Sequence, residues 1–314
     1  MLLNMTGIHA VIILIGVKKR ETENIMTHQP IPSGTLKKLV DIGKKETRVL
    51  GSVERWLLAQ PRDASRATDV IHPSAMVKFD WCHRAEYFHL QGAIPAPPKY
   101  RASMKQYLTF DEGHRIHDRW QTWFWNMGHL YGKWSCFNCQ HTFYAVSPTE
   151  CESCNASVKK LKYREVSVYS SQYGMSGHAD GWLKGFGNDL LLEIKSVGEG
   201  TVAWEDRVMW QEHGENFKSV WKALKSPFHT HLLQAQVYMK LLELMDSNNF
   251  PTEAVFIYES KVDQQIKEFV VPKSDFGIAP LFEAAAMIME SIKNQTPPTC
   301  NISPSGTCQK CEGF

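Results

Sequence analysis

Eight cysteines in a chain of 314 residues, seven of them in two tight groups, constrain this sequence more than any other feature. Four fall in the pattern Cys136-x2-Cys139-x11-Cys151-x2-Cys154, three close the chain as Cys300-x7-Cys308-x2-Cys311, and Cys82 stands alone. Disulfide frameworks belong to short secreted chains, whereas this chain is long and its cysteines are clustered. A Cys-x2-Cys pair turns two thiolates toward one ion across a tight turn, which makes it metal-ligand material. The pattern therefore points to a reducing, cytoplasmic compartment.

Composition narrows the field further. With 43% hydrophobic and 22% charged residues the chain is globular in character, which excludes a disordered tail, a collagen-like repeat and a polytopic membrane protein. A chain of this length removes roughly 75% of its unfolded surface from water, enough for a substantial core. The 35 basic and 33 acidic residues leave a formal charge of +2, so net charge makes no case for a nucleic-acid partner. One apolar run, 8–17, is about half the ~20 residues a membrane span needs. Its basic residues Lys18, Lys19 and Arg20 follow the run instead of preceding it, which is the reverse of a signal peptide. It reads as a buried strand or as a leader upstream of Met26, so residues 1–25 need not belong to the native product, and no membrane role is expected.

Along the chain, Leu36, Leu39, Val40, Val49, Val53, Leu57 and Leu58 recur at helical spacing up to Pro61, so 1–73 reads as an N-terminal extension with a helical region. Ser74 after Pro73 reads as the N-cap of a helix through Cys82 to about residue 88. Pro95, Pro97 and Pro98 mark a linker, and an amphipathic helix follows over about 103–127. The four-cysteine module fills 134–156, with a basic stretch of Lys159, Lys160, Lys162 and Arg164 behind it. From Glu165 the pattern turns to alternation, with a turn at 187–189 and a second strand run to about 197. Residues 198–226 read as irregular, with Trp204, Trp210 and Trp221. A helix is expected at about 228–246, strands at 253–259 and 265–272, and a last helix at about 278–293.

The segment from Gly177 to Lys195 is the most informative. In a strand, residues i and i+2 share a face, so Glu193 and Lys195 project together while Leu192 and Ile194 enter the core. A preceding strand ending near Asp180 can bring a second carboxylate beside Glu193. Two carboxylates and a backbone carbonyl suit a hard divalent ion such as Mg²⁺ or Mn²⁺. A lysine beside such an ion can orient and help deprotonate a water, or neutralise charge on a phosphoryl group. Taken alone, Glu193-x-Lys195 is an ordinary cross-strand charge pair. His117, in Gly113-x-x-x-His117, shares a helix side with Trp120 and Phe124. Gln234 and Tyr238 stand at i, i+4 and so share a helix face.

In this order, Cys82, Gly113-x-x-x-His117, Gly177-x-x-Asp180, Glu193-x-Lys195, Gln234-x-x-x-Tyr238 and the terminal cysteines, the chain resembles the RecB-like branch of the PD-(D/E)XK nucleases. That branch includes AddB-type and CRISPR-associated iron–sulfur exonucleases. The likeness runs from about residue 74 to the end. It implies an α/β, restriction-endonuclease-like nuclease domain over 74–314, with a mixed central sheet flanked by helices and a zinc ribbon inserted at 134–156. By the resemblance, His117, Asp180 and Glu193, with the carbonyl of Ile194, hold one or two Mg²⁺ or Mn²⁺ ions, and Lys195 activates water. Gln234 and Tyr238 position the phosphate backbone, and Glu165 matches a further acidic position. The implied activity is metal-dependent exonucleolytic hydrolysis of single-stranded DNA or duplex ends, in replication, recombination or repair, in a phage or CRISPR setting and with partners such as a helicase. A flap or branched-DNA endonuclease, or a non-catalytic DNA-binding subunit, are the alternatives.

The resemblance also divides the cysteines. It implies a [4Fe–4S] cluster on Cys82, Cys300, Cys308 and Cys311, with the last three in a C-terminal staple at 300–314. The downstream spacing departs from the x2-then-x5 usual in that branch, which leaves zinc open for this site. Cys136, Cys139, Cys151 and Cys154 read as a closed, structural zinc site, with His141 as an alternative ligand. The ribbon and its basic stretch either guide DNA or form a stabilising insertion. Trp204, Trp210 and Trp221 are candidates for stacking on single-stranded DNA, and one of Trp120, Trp123 and Trp125 must leave the helix face that packs.

Overall fold

A computed structural model describes residues 49–60, 67–93, 103–312 and 314. The apolar run at 8–17, most of the expected helix at 34–60, Pro61 and the prolines of the 95–98 linker lie outside them. The chain divides into compact units Met1–Val53 and Glu54–Phe314. Helix α1 (Leu50–Ala59) contains no buried residue.

The organising element is a mixed sheet built from β1 (Leu130–Cys136), β2 (Thr142–Val146), β3 (Leu161–Tyr163), β6 (Gly181–Phe186), β7 (Asn188–Val197), β8 (Glu253–Ser260) and β9 (Ile266–Pro272). Its order is β2-β1-β6-β7-β8-β9, with β3 also paired to β1. The β6–β7 and β8–β9 pairs are antiparallel, but β7 and β8 run parallel, with Glu193 beside Phe256 and Lys195 beside Tyr258. Parallel neighbours need a long crossover, and the chain supplies one between them in helices. Strands β4 (Val166–Ser170) and β5 (Met175–Ala179) form a separate antiparallel pair, so the chain changes sheet at Asp180.

Strand β7 is central and buried on both sides, which explains the unbroken apolar character of its middle. Its alternating residues feed two cores. Leu191 and Val197, with Ala254, Phe256 and Tyr258 of β8, belong to the core under helix α8 (His229–Met245), which also takes in residues of helix α9 (Ala279–Lys293). Leu192 and Ile194, with Val255 and Ile257, pack with Ile116 and Phe124 of helix α4 (Met104–Asn126). The sequence period of two is thus divided between two layers of helices. Helix α4 begins at a capping box in which Ser103 and Gln106 satisfy each other's backbone N–H groups.

Two expected elements differ. The helix expected from Ser74 to residue 88 is split into α2 (Pro73–Met76) and α3 (His83–Leu90), and its cap is His72, not Ser74. The break has a cause at Cys82, whose extended backbone and sulfur acceptor cap the second helix by receiving the Ala85 N–H at 3.4 Å. The segment expected to be irregular contains three short helices, α5 (Glu199–Glu205), α6 (Arg207–Glu212) and α7 (Phe217–Ala223). Asp206 and Asn216 cap the last two through their side chains, a local signal that periodicity over so few residues does not reveal. Among the described residues no helix is long and apolar enough to cross a membrane.

Candidate active site and cysteine centres

Asp180 occupies the joint between the two sheets, directly before Gly181 of β6, whose backbone faces Leu192 of β7. That position brings its carboxylate on to the central strand: Oδ2 accepts the Ile194 N–H at 2.6 Å, and Oδ1 lies 3.1 Å from Nδ1 of His117 on α4. Burial works to raise the Asp180 pKa, but the His117 charge and hydrogen bond, Lys195 and the Ile194 N–H prevail and hold it below the ordinary carboxylate range. Burial likewise works to lower His117, and the Asp180 charge outweighs it, so this imidazole is held above its ordinary value. Helix α4 approaches β7 closely because residue 113 is glycine. A Cβ there would stand 3.3 Å from Ser196 Oγ.

Glu193 and Lys195 project from the same face of β7, as the strand period requires. Lys195 Nζ stands 2.8 Å from Glu193 Oε2 and donates to Gln234 Oε1 at 3.0 Å. Gln234 Nε2 in turn donates to the Tyr238 hydroxyl at 2.9 Å, so the i, i+4 pair on α8 is joined to the strand pair. Tyr238 lies against Gly177, where a Cβ would come within 3.1 Å of its ring and 3.2 Å of Pro73. The glycine in Gly177-x-x-Asp180 is therefore needed for close approach.

Charge in this site is unbalanced. Burial first, and then the Asp180 charge, push Glu193 up to about 7 against the pull of Lys195. Glu165 is also pushed up to about 7 by burial and by Asp180. Lys195 loses by burial but gains more from Glu193 and Asp180, so it stays cationic with a raised pKa. Glu165 lies immediately before β4 with a left-handed backbone, φ 62°, that a residue with a side chain adopts at a cost of about 1–2 kcal/mol.

Whether these residues suit a divalent ion can be judged from Glu193 Oε1. This carboxylate oxygen is buried and has no hydrogen-bond partner, in a residue only 1% exposed. A buried, unpaired carboxylate oxygen is costly unless something positive completes its shell. The set of hard oxygen donors with one imidazole fits a hard divalent cation. Among the described residues, however, only the two cysteine groups bring three or more ligand atoms within 4.8 Å of one another. His117, Asp180 and Glu193 fit in chemistry but are not drawn into a closed shell.

The structure adds residues that the motif order did not indicate. Gln121, one helical turn after His117, donates from Nε2 to the Asp180 carbonyl at 2.9 Å. Its i, i+4 spacing from His117 was the available signal. Behind Lys195, His231 Nε2 stands 3.7 Å from Glu205 Oε1, and its other ring nitrogen meets the Tyr258 hydroxyl. Burial drives His231 well below its ordinary pKa, so it is neutral. Glu259 takes Arg119 and the Trp120 indole N–H, which fixes the middle of α4 to the end of β8.

The cysteines assemble into two groups of four, Cys82 with Cys300, Cys308 and Cys311, and Cys136 with Cys139, Cys151 and Cys154. His141 belongs to neither: its Nε2 pairs with Glu152 at 2.8 Å. The tryptophans part company. Trp221 is a core residue at 5% exposure, which removes it as a stacking surface, because its indole packs with Phe217 inside α7. Trp210 packs partly against the same core. Trp204 is exposed beside exposed Phe79, with ring centroids 5.7 Å apart. On α4, Trp123 is the exposed one, while Trp125 packs on Trp134 and donates to the Pro148 carbonyl. Lys159, Lys160, Lys162 and Arg164 are all exposed.

No protein-family profile and no curated protein sequence matches the chain. Among solved structures it is similar to an alkaline exonuclease, LHK-Exo, from Laribacter hongkongensis, at 12% identity and a TM-score of 0.39, over 73% of this chain and 90% of that one. The same exonuclease in complex with dAMP gives 12% identity and a TM-score of 0.37 over the same shares. A third, SSO0001, gives 11% identity and a TM-score of 0.32, over 81% of this chain and 93% of that one. These are partial likenesses of backbone.

Proposed function

We propose that the protein is a metal-dependent DNA nuclease of the PD-(D/E)XK type that hydrolyses phosphodiester bonds, acting as an exonuclease on single strands or duplex ends. The observations that carry this reading are the His117–Asp180 pair, the linked set Glu193–Lys195–Gln234–Tyr238, and the buried, unpartnered Glu193 Oε1. His117, Asp180 and Glu193, with the Ile194 carbonyl, would hold the ion, with Glu165, whose carboxyl is raised by burial and by the Asp180 charge, as a further acidic candidate. A divalent ion bound there supplies Lewis-acid stabilisation of the phosphoryl oxygens.

The protein's own groups supply the rest. Lys195 is cationic in this geometry, so its part is to donate hydrogen bonds and neutralise charge at the reacting phosphate, in preference to taking a proton from water. Gln234 holds Lys195 in place from one side and the Tyr238 hydroxyl from the other, which pre-orients both toward the substrate backbone. His117 and the Ile194 N–H together fix the rotamer of Asp180. Lys159, Lys160, Lys162 and Arg164 provide exposed cations for phosphates, and the Phe79–Trp204 pair provides a face on which bases stack.

The reading is tested by incubating the protein with end-labelled linear and with circular single-stranded DNA in the presence of Mn²⁺. Degradation of linear DNA alone is the expected result. Cutting of circles would indicate an endonuclease, and intact DNA in every reaction would indicate a binding subunit. A Lys195→Ala variant that folds and cleaves as well as the wild type would overturn the assigned site.

A further inference from the structure

We propose that Cys82, Cys300, Cys308 and Cys311 bind a single tetrahedral Zn²⁺ and do not hold the [4Fe–4S] cluster that the sequence resemblance implies. The ground is size. The Cys82 and Cys300 sulfurs are 3.8 Å apart, the Cys308 and Cys311 sulfurs are 3.8 Å apart, and all four ligand atoms lie within 4.8 Å of one another. Zn–S bonds of about 2.3 Å arranged tetrahedrally give sulfur–sulfur edges of about 3.8 Å. In a cubane each thiolate binds a different iron, so four irons and four sulfides must fit between the thiolates. Sulfurs in van der Waals contact with one another leave room for one ion and for no eight-atom core.

The second centre provides an internal standard. In the 136–154 group, Cys136 and Cys154 are 3.8 Å apart, Cys139 and Cys151 are 3.7 Å apart, and the four again lie within 4.8 Å. Two unrelated stretches of chain thus build pockets of one size, and that size is the mononuclear one. Backbone N–H groups aim at sulfur in both: Ala85 at Cys82 and Cys308 at Cys311 in one, Asn138 at Cys136 in the other. Such donors stabilise thiolates bound to an ion.

The compactness is also clamped from outside. Asn301 accepts the His83 N–H at 2.8 Å and donates to the Trp81 carbonyl at 3.0 Å. Lys310 donates to the Asp80 carbonyl at 2.8 Å and pairs with the Asp80 carboxylate at 2.8 Å. These contacts hold both flanks of Cys82 against the terminal loop, so spreading the four thiolates around a larger core would break them. The unusual x7-then-x2 spacing of the terminal cysteines is consistent with a knuckle-type site, because Cys308-x2-Cys311 closes a tight turn with the Cys311 N–H on the Cys308 carbonyl.

The test uses the full chain, purified without oxygen from cells supplied with both iron and zinc, and then offered iron and sulfide under reducing conditions. The expected protein is colourless, contains two zinc ions per chain and no acid-labile sulfide, and takes up no cluster. Replacement by Co²⁺ should give the spectrum of two tetrahedral tetrathiolate sites. Cys300→Ser and, separately, Cys139→Ser should each halve the zinc content. If either variant fails to fold, X-ray absorption at the zinc edge of the wild-type protein decides, with four sulfur neighbours at one distance expected. A brown protein with iron and sulfide bound to the terminal cysteines would overturn the proposal. So would iron in proportion to the chain without sulfide, or a single zinc ion with the terminal group empty.

Discussion

Glu193 offers the sharpest test of the carboxylate site, through the response of wild type and Glu193→Gln to Mn²⁺. Its side chain is 1% exposed, with one oxygen 2.8 Å from Lys195 and the other unpartnered. Burial raises its pKa from the ordinary 4.5 to about 7, a displacement that penalises the ionised form by about 3 kcal/mol. A raised carboxyl pKa contributes stability that is complete below pH 4.5 and lost as pH climbs through about 7. The metal-free protein therefore carries the full penalty above neutrality, where a cation finds Glu193 already ionised. At a hundredfold excess over its dissociation constant, an ion bound only by the native state adds about 2.7 kcal/mol. For a domain of this size that is a rise in melting temperature of about 5–10 °C. At pH 5.5 the ion must first displace a proton, which costs about 2 kcal/mol and removes most of the rise. In Glu193→Gln the rise should be absent at both pH values. The comparison is of the increment that Mn²⁺ adds to each protein, so any change in the variant's own stability cancels. The assay is thermal melting at pH 8 and pH 5.5, with the cysteine centres loaded and no chelator present. Equal increments in wild type and variant, or none in the wild type at pH 8, would refute the reasoning.

Other expectations follow from packing and charge. Gly177→Ala should place a methyl group 3.1 Å from the Tyr238 ring, lower stability by about 1–3 kcal/mol and reduce cleavage; a variant unchanged in melting temperature and rate would show that the close approach is not needed. Trp204→Ala, at an exposed position, should leave the melting temperature alone and weaken single-stranded DNA binding by about 1–3 kcal/mol in a fluorescence titration, and unaltered affinity would remove the stacking role. Replacing Lys159, Lys160, Lys162 and Arg164 by alanine should flatten the dependence of log affinity on log salt by about 0.7 for each phosphate that the side chains no longer neutralise. An unchanged slope would mean that the basic stretch is only a solvated face.

Much of this protein is legible as local pattern. The apolar strand runs within 188–197 and 253–260, helical spacing over 229–245 and 279–293, and the Cys-x2-Cys pairs all survive into the structure, because each depends on residues within a few turns of one another. The common face of Glu193 and Lys195, and of Gln234 and Tyr238, follows from strand and helix periods alone. The same reasoning could not tell that Trp221 is buried while Trp204 is exposed, since both stand in one Trp-rich stretch and only docking against the sheet separates them. It expected one helix where Cys82 breaks the chain in two, because the contacts holding Asp80 to His83 come from Asn301 and Lys310 at the far end of the sequence.

The identity of candidate ligands was thus a matter of sequence, and their geometry was not. The family resemblance carried by their order picked out His117, Asp180, Glu193 and Lys195, and spacing together with that resemblance grouped the eight thiols. Only tertiary structure decided that Asp180 is satisfied by His117 and the Ile194 N–H while Glu193 keeps one oxygen unpaired. It alone drew Cys82 and Cys300 to 3.8 Å. Spacing along a chain governs what faces together over a few residues; distances between segments 63 or 218 residues apart are set by how sheets and helices pack, which no local period contains.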